Sequence, residues 1–304
     1  MVSILLYIFA LSIAPFLFMG IIIRVKAFWA GRKGPPLLQP LYDFIKLLRK
    51  GEVISASASF IFTVAPLVCT SAVLGASLLI PFAGRAVISL NGGIVLFCYL
   101  LALSRFFLLL SALDVASSFE GMGASREATF AAFAETGLFF LLGTFAAATG
   151  NTSFTAITAA IERNTTWGIL IICLWSIALF LLMLVEGSRM PVDDPNTHLE
   201  LTMIHEVIVL DNSGVNFAFM LYASHLKVIL FGSLIAALVI PSHLAWYYYA
   251  AAWALVLTTL AVVIGILESI LARLRMTLVP QFIFLVTAMT AISALLIAVY
   301  KGGI

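Results

Sequence analysis

The residues best suited to chemistry are concentrated in one segment, 186–206, in a chain that is only 10% charged. Its ionisable side chains are Glu186, Arg189, Asp193, Asp194, His198, Glu200, His205 and Glu206. Long apolar stretches precede and follow this segment, so it lies beside a membrane. Ionisable groups near lipid are costly unless they are solvated, paired or used. Their density therefore predicts proton handling, docking of a charged partner, or both.

Further ionisable residues lie inside or at the ends of the apolar stretches. They are Arg105, Asp114, Glu135, Lys227 and Glu268. A series of titratable groups of both signs is what a proton relay needs, provided that each is within hydrogen-bond or one-water reach of the next. The alternative is static ion pairing that only stabilises a helix bundle.

The pattern within 186–206 argues against a metal site. Asp194-Pro195 is typical of a helix start, with an Asp cap and Pro in the first turn, and predicts a helix reaching about Leu210. His198 and His205 would then share a stripe but lie two turns apart, which is not the i, i+4 spacing of a helical zinc pair. Histidine titrates near neutral pH, so proton transfer is the favoured role.

Composition predicts an all-α integral membrane protein. The 304 residues are 63% hydrophobic, well above the roughly 45–50% apolar content of a soluble domain. Three cysteines (Cys69, Cys98 and Cys173) lie singly in apolar runs without ligand spacing, and there is no Gly-rich phosphate loop or HExxH motif. We therefore expect no cofactor or metal bound by this chain, and no nucleic-acid partner.

About eight transmembrane helices are expected in a single transmembrane domain, 1–304. The apolar stretches are 2–23, 59–82, 91–112, 128–148, 167–186, 216–240, 244–267 and 277–300. Eleven of the sixteen Lys and Arg residues fall in loops 24–58, 113–127, 187–215 and 268–276. We call that face side A and predict that it is cytoplasmic, which places both termini on the non-cytoplasmic side B.

The first side A loop contains a Gly34-Pro35-Pro36 break followed by an amphipathic helix over 41–48. A plain juxtamembrane anchor and a docking element fit this loop equally well. Nearly all acidic residues also lie toward side A, and charges of both signs on one face favour a docking surface over a polybasic lipid anchor.

Several motifs resemble the NADH dehydrogenase subunit 1 family, over essentially the whole chain. Gly34-Pro35, Gln39, Asp43 and Lys46-Leu-Leu resemble its first cytoplasmic loop. The pattern Glu186-x-x-Arg-x-Pro-x-Asp193, followed by Glu200-Leu, resembles its acidic loop, and Arg126 with Glu135 fits its third-loop pattern.

Other segments resemble the group 4 membrane-bound [NiFe]-hydrogenase branch, which includes formate hydrogenlyase and hydrogenase-4 complexes. These segments are 113–127, 197–206 and 268–275, and Lys227 fits the same branch. Asn196 and His198 stand where respiratory complex I members carry further glutamates. The resemblance thus implies a subunit of the bacterial or archaeal cytoplasmic membrane, with reduced expectation of quinone binding.

The resemblance implies an anchor for a hydrophilic redox arm whose electron transfer drives H⁺ or Na⁺ movement. Implied partners are the [NiFe]-hydrogenase large and small subunits, a ferredoxin-like iron–sulfur subunit, antiporter-like membrane subunits and membrane lipid. The [NiFe] centre and iron–sulfur clusters would lie in those partners. Proton pathway or coupling roles are implied for Asp114, Arg126, Glu135, Glu186, Arg189, Asp193, Glu200, His205, Glu206, Lys227 and Glu268. Docking roles are implied for Arg24, Lys26, Arg32, Gln39, Asp43 and Lys46.

Three alternatives stay open, the first from the resemblance and the other two from the residues. One is the quinone-chamber subunit of a complex I-like oxidoreductase. The second is a stand-alone ion transporter whose acidic loop binds substrate, although no inverted repeat of interrupted helices is evident. The third is a purely structural anchor without an ion path.

Overall fold

The computed structural model of the chain describes residues 2–82, 84, 86–193 and 203–302. Within them the secondary structure is helical. The helices are α1 (Val2–Ser12), α2 (Ala14–Trp29), α3 (Gln39–Leu48), α4 (Phe60–Ser77), α5 (Gly93–Asp114), α6 (Ser118–Thr149), α7 (Phe154–Ala160), α8 (Thr166–Glu186), α9 (His205–Ile208), α10 (Gly214–Val239), α11 (Trp246–Ile270) and α12 (Val279–Gly302). A short 3₁₀ turn, Met276–Leu278, precedes α12.

The predicted all-α membrane fold is confirmed. In the described part of the chain, seven helices are long and apolar enough to cross a membrane: α4, α5, α6, α8, α10, α11 and α12 with its 3₁₀ turn. The first predicted span, 2–23, consists of two helices that meet at Ile13. Pro15 causes this interruption, because its ring removes a backbone donor and crowds the carbonyl of the preceding turn.

Helices extend into all four of the predicted side A loops, which corrects their limits as loops, although α10 does so by only two residues. Helix α2 continues to Trp29, α6 begins at Ser118, and Glu268 lies inside α11. An apolar run marks where lipid contact ends, whereas a helix continues until a breaker or an alternative hydrogen-bond pattern stops it. Gly31, at φ +67°, is the breaker that follows α2.

The prediction of one continuous helix up to Leu210 is wrong at its described end. Met203 and Ile204 are not helical, and α9 covers only His205–Ile208. The Asp193 carboxylate accepts hydrogen bonds from the backbone N–H groups of Ile204 and His205, at 3.3 and 2.9 Å, and so supplies the N-terminal cap of α9. The predicted cap Asp194-Pro195, with His198 and Glu200, lies outside the described residues.

Helix α10 is the centre of the bundle. Its span is 78% buried, compared with 28% for the spans of α11 and α12. It packs against α8, α4, α11 and α2, so polar residues on α10 are held away from lipid. The predicted amphipathic helix is confirmed as α3, whose Phe44 packs on Phe16 of α2 and Tyr222 of α10.

Candidate functional site

A buried ion cluster connects four of the spanning helices. Arg105 on α5 is only 4% exposed, and its guanidinium contacts the carboxylates of Glu135 on α6 and Glu186 on α8. Its Nε also lies 3.5 Å from Oε1 of Glu127, eight residues before Glu135 on α6. A single arginine therefore gathers three carboxylates from two neighbouring helices.

Glu186 joins this arginine to a second cation. Its Oε1 contacts Arg105, and its Oε2 lies 4.0 Å from Nζ of Lys227 on α10. Glu186 is in the last turn of α8, where the helix dipole disfavours a negative charge, and the two cations offset that cost. Close packing of α8 on α10 sets this geometry, because a Cβ at Gly187 would lie only 2.5 Å from Val228.

We define the central cluster as Arg105, Glu127, Glu135, Glu186 and Lys227. With every member ionised it would carry three negative and two positive charges. An uncompensated charge is expensive in a low-dielectric interior, so the surplus favours uptake of one proton or one small cation. Glu135 is the most accessible member, with a side chain that is 35% exposed. The cluster can therefore hold a single exchangeable charge and has one side open to a neighbour.

His205 lies between the central cluster and a larger cavity. A small cavity of about 20 Å³ is lined by His205, Ser224, Lys227, Glu127 and Glu186. That volume accommodates about one water molecule among several polar partners. Burial and, to a smaller extent, the Lys227 cation lower the pKa of His205 to about 4, although the carboxylates of Asp193 and Glu186 oppose the shift. The imidazole is thus neutral at pH 7 and does not offset the surplus negative charge.

The larger cavity, which we call the main cavity, has a volume of about 400 Å³. His205 and Ser224 line both cavities, so they form the boundary between them. Helix α3 contributes Pro40, Asp43 and Leu47 to its wall, and Asp43 is exposed, so the main cavity reaches the surface formed by the first side A loop. A polar route therefore leads from that surface, past His205, to the central cluster.

A second ion cluster lies on the wall of the main cavity. Glu268 on α11 is 6% exposed; its Oε2 lies 2.9 Å from Nζ of Lys26, and its Oε1 lies 3.4 Å from Nη1 of Arg189. A Cβ at Gly265 would meet Cβ of Val25 at 2.7 Å, so glycine allows the approach of α11 to α2 that forms this pair.

Charged side chains hold the acidic loop at both of its described ends. Asp193, which caps α9 through Oδ2, also places Oδ1 at 2.8 Å from Nη2 of Arg273 in the loop after α11. Glu120 on α6 is fully buried and accepts a hydrogen bond from the backbone N–H of Asp211 at 2.9 Å. These contacts fix both described ends of the segment that follows α8.

Other predicted site residues occupy different positions. Arg126 donates to the backbone carbonyl of Met203 at 2.9 Å rather than to a described carboxylate. Asp114 accepts hydrogen bonds from Ser59 at 2.7 Å and from the backbone of Phe62, and so caps the start of α4. Glu206 lines the main cavity.

The predicted docking residues divide into two groups. Arg24, Arg32, Asp43 and Lys46 are exposed, and Gln39 donates to Asp43 at 2.9 Å. Lys26 instead turns inward to Glu268. Asp43 belongs to the exposed group and also lines the main cavity, so the cavity meets this surface at Asp43.

Sequence reasoning missed Glu127 as a member of the site, because the predicted loop 113–127 separated it from the span that carries Glu135. The helical spacing of eight residues between the two carboxylates was the available signal, once α6 is known to begin at Ser118. Glu120 was missed for the same reason.

Comparison with known proteins finds similarity to components of hydrogenase and NADH dehydrogenase complexes. The profile of a family described as NADH dehydrogenase matches residues 2–299. Hydrogenase-4 component C of Escherichia coli (strain K12) is 31% identical over 91% of this chain and 89% of its own length. Formate hydrogenlyase subunit 4 of the same organism is 29% identical over 89% of each chain.

More distant similarities extend the same pattern. A subunit of the NADH-quinone oxidoreductase of Rickettsia prowazekii (strain Madrid E) is 26% identical over 73% of this chain and 67% of its own length. A chain of the membrane-bound sulfane sulfur reductase, an archaeal respiratory membrane complex, has the same fold, with a TM-score of 0.83 and 21% identity over 97% of this chain and 98% of that one.

Proposed function

The chain belongs to the NADH dehydrogenase family, and we propose that it is the membrane subunit of a membrane-bound [NiFe]-hydrogenase complex of the formate hydrogenlyase or hydrogenase-4 type. In this role it anchors the hydrophilic redox arm and couples electron transfer there to movement of H⁺ or Na⁺. The observation that carries the coupling role is the route from the main cavity, past His205, to the central cluster.

Redox chemistry would take place in partner subunits that hold the [NiFe] centre and the iron–sulfur clusters. This chain would contribute the surface beneath them, formed by Arg24, Arg32, Asp43 and Lys46. Charges of both signs on that surface suit a partner of mixed charge. The complex would reside in the bacterial or archaeal cytoplasmic membrane, with side A facing the redox arm.

Coupling would use the surplus charge of the central cluster. A charge change near the main cavity would alter the energy of the single exchangeable proton held among Glu127, Glu135 and Glu186. The partly exposed Glu135 is the exit toward antiporter-like membrane subunits, because an ionised carboxylate at a helix surface needs a polar neighbour. Arg105 and Lys227 keep the remaining carboxylates ionised, since a nearby cation favours the charged form.

Affinity purification through a tag on this chain tests the assignment. We expect the [NiFe] large subunit, iron–sulfur subunits and antiporter-like subunits to copurify, with hydrogen-evolving activity. Recovery of the chain alone, with transport activity, would contradict the assignment and support the stand-alone transporter.

Docking is tested by charge reversal at the first side A loop. Arg32→Glu should release the hydrophilic subunits from the membrane fraction, whereas Arg32→Lys, which keeps the charge, should retain them. Equal retention in the two variants would count against a docking role for this surface.

A second candidate function, the quinone-chamber subunit of a complex I-like oxidoreductase, is favoured by one observation. The main cavity is large enough for a small ligand and combines apolar walls with Lys26, Arg189, His205 and His225. The quinone-chamber candidate would be supported if the purified complex oxidised its electron donor with quinone as acceptor and if Ser224→Phe, which fills the main cavity, abolished this activity. Hydrogen evolution that is indifferent to quinone and to this substitution supports the hydrogenase assignment.

A further inference from the structure

An apolar groove runs along the outer face of α6 and α12, starting next to Glu135 at Thr136 and extending toward side B. It has a volume of about 550 Å³ and is lined by Phe139, Phe140, Gly143, Ala147 and Ala294, among others. Phe139 and Phe140 are 45% and 63% exposed, and they form one wall. A Cβ at Gly143 would meet nothing within 4 Å, so the missing side chain leaves the floor of the groove open.

The length of the groove matches one leaflet of a bilayer. It extends along α6 from Thr136 to Ala147, which is a rise of about 17 Å at 1.5 Å per residue. Half of a hydrocarbon core of about 30 Å is about 15 Å. The groove therefore begins near the middle of the membrane and ends at its side B surface, as an acyl chain in that leaflet does.

A second, smaller cavity of about 120 Å³ continues the groove at this end. Ile297 lines both spaces, and the smaller one adds Glu162, Tyr300 and Lys301. Trp167, at the start of α8 and five residues after Glu162, is 42% exposed. Aromatic and basic side chains at a helix end are typical of the level at which lipid head groups lie.

The polar groups of the smaller cavity are complementary to a zwitterion. Lys301 donates one hydrogen bond from Nζ to the carbonyl of Ala147 at 2.7 Å, which leaves two of its three ammonium donors. Glu162 is held by the hydroxyl of Tyr300 at 3.0 Å. Among the described residues, no ion pair joins Lys301 to Glu162, and neither of them forms an ion pair with another charged side chain. Two opposite charges that share a cavity without pairing match a ligand that carries both signs.

We propose that this groove and cavity form a binding site for phosphatidylethanolamine. One acyl chain would lie between α6 and α12. Lys301 would bind the lipid phosphate, and the Glu162 carboxylate would accept hydrogen bonds from the primary ammonium. Phosphatidylcholine would bind less well because its quaternary ammonium has no N–H to donate.

Native mass spectrometry of the complex, purified from membranes and supplied with defined lipid, tests the site. We expect one phosphatidylethanolamine retained on wild type, and roughly tenfold weaker retention of phosphatidylcholine, as when a charge-assisted hydrogen bond worth about 1.4 kcal/mol is lost. Glu162→Gln should abolish that preference, and Lys301→Gln should weaken both lipids. Gly143→Leu should empty the site, whereas Ala254→Leu, at an exposed position on α11, should not.

Equal retention of the two lipids by wild type, or unchanged retention in Gly143→Leu, would overturn the proposal. A photoreactive amino acid in place of Ala294 distinguishes a lipid in the groove from a partner helix. The proposal requires that it crosslink to a lipid. A protein adduct without a lipid adduct would show that a partner helix fills the groove and would also overturn it.

Discussion

Glu186→Gln should uncouple ion movement from electron transfer while leaving the complex assembled. The substitution removes one negative charge from the central cluster, so the surplus over Arg105 and Lys227 disappears and no proton needs to be held. Arg105 keeps the carboxylates of Glu127 and Glu135 and can still donate to the new amide. The loss in stability should therefore stay below about 3 kcal/mol, the upper range for a hydrogen bond to a charged group.

The assay is the ratio of protons moved to hydrogen evolved, measured together in vesicles that contain the purified complex. We expect near-normal hydrogen evolution and a ratio close to zero. Glu52→Gln, at an exposed acidic position in the first side A loop, is the matched control and should retain the wild-type ratio. A wild-type ratio in Glu186→Gln would refute the reasoning from charge balance.

Three further predictions concern stability. Arg105→Gln leaves three carboxylates with Lys227 as their only cation and should lower the free energy of unfolding by about 3–5 kcal/mol. Arg105→Lys should be closer to wild type in stability. An unchanged unfolding temperature in Arg105→Gln would contradict this prediction. Gly265→Ala should lower the free energy of unfolding by about 1–3 kcal/mol, because the new Cβ would press on Val25. Gly143→Ala should leave it unchanged, because the new Cβ would have no atom within 4 Å. Equal unfolding temperatures of the two variants would disprove the close approach of α11 to α2. Between pH 6.5 and about 4 the unfolded chain binds a proton at His205 that the folded chain does not bind, so stability should fall with falling pH by up to about 1.4 kcal/mol per unit. His205→Gln should remove this part of the slope, and parallel unfolding profiles of the two proteins from pH 8 to 5 would show that His205 is not its source.

Much of the architecture follows from local pattern. Apolar runs of the right length predicted the spanning helices, and the alternation of apolar and polar residues over 41–48 predicted the amphipathic helix α3. Both sequence patterns depend only on residues that are close together along the chain and on lipid as the surrounding solvent. The interruption at Ile13 was also encoded locally, in Pro15, although a continuous hydropathy signal hides it.

Pairing within the bundle was not predictable to the same degree. The sequence placed Arg105, Glu135, Glu186 and Lys227 inside or at the ends of apolar stretches, but it did not show that the Arg105 guanidinium would contact both Glu135 and Glu186. That arrangement depends on how α5, α6, α8 and α10 pack, and on the absence of a side chain at Gly187. Long-range contacts of this kind leave no periodic trace in a single sequence.

The acidic segment illustrates the same limit in a loop. Asp194-Pro195 is a good local helix start, yet the described helix begins only at His205. The cap of this helix is Asp193, whose carboxylate accepts a hydrogen bond from the N–H group of Ile204, eleven residues later in the chain. A carboxylate that reaches across a loop competes with a nearer capping sequence, and only the tertiary structure decides between them.

Infrared spectroscopy of protonated carboxylic acids detects directly the proton that the charge balance of the central cluster requires. We expect wild type at pH 7 to show a carbonyl band from one shared acid proton. Glu186→Gln should lose this band, and Lys227→Met, which removes a cation, should gain intensity. Identical bands in all three proteins, or changes of the same sign in the two variants, would contradict a cluster that holds one exchangeable proton.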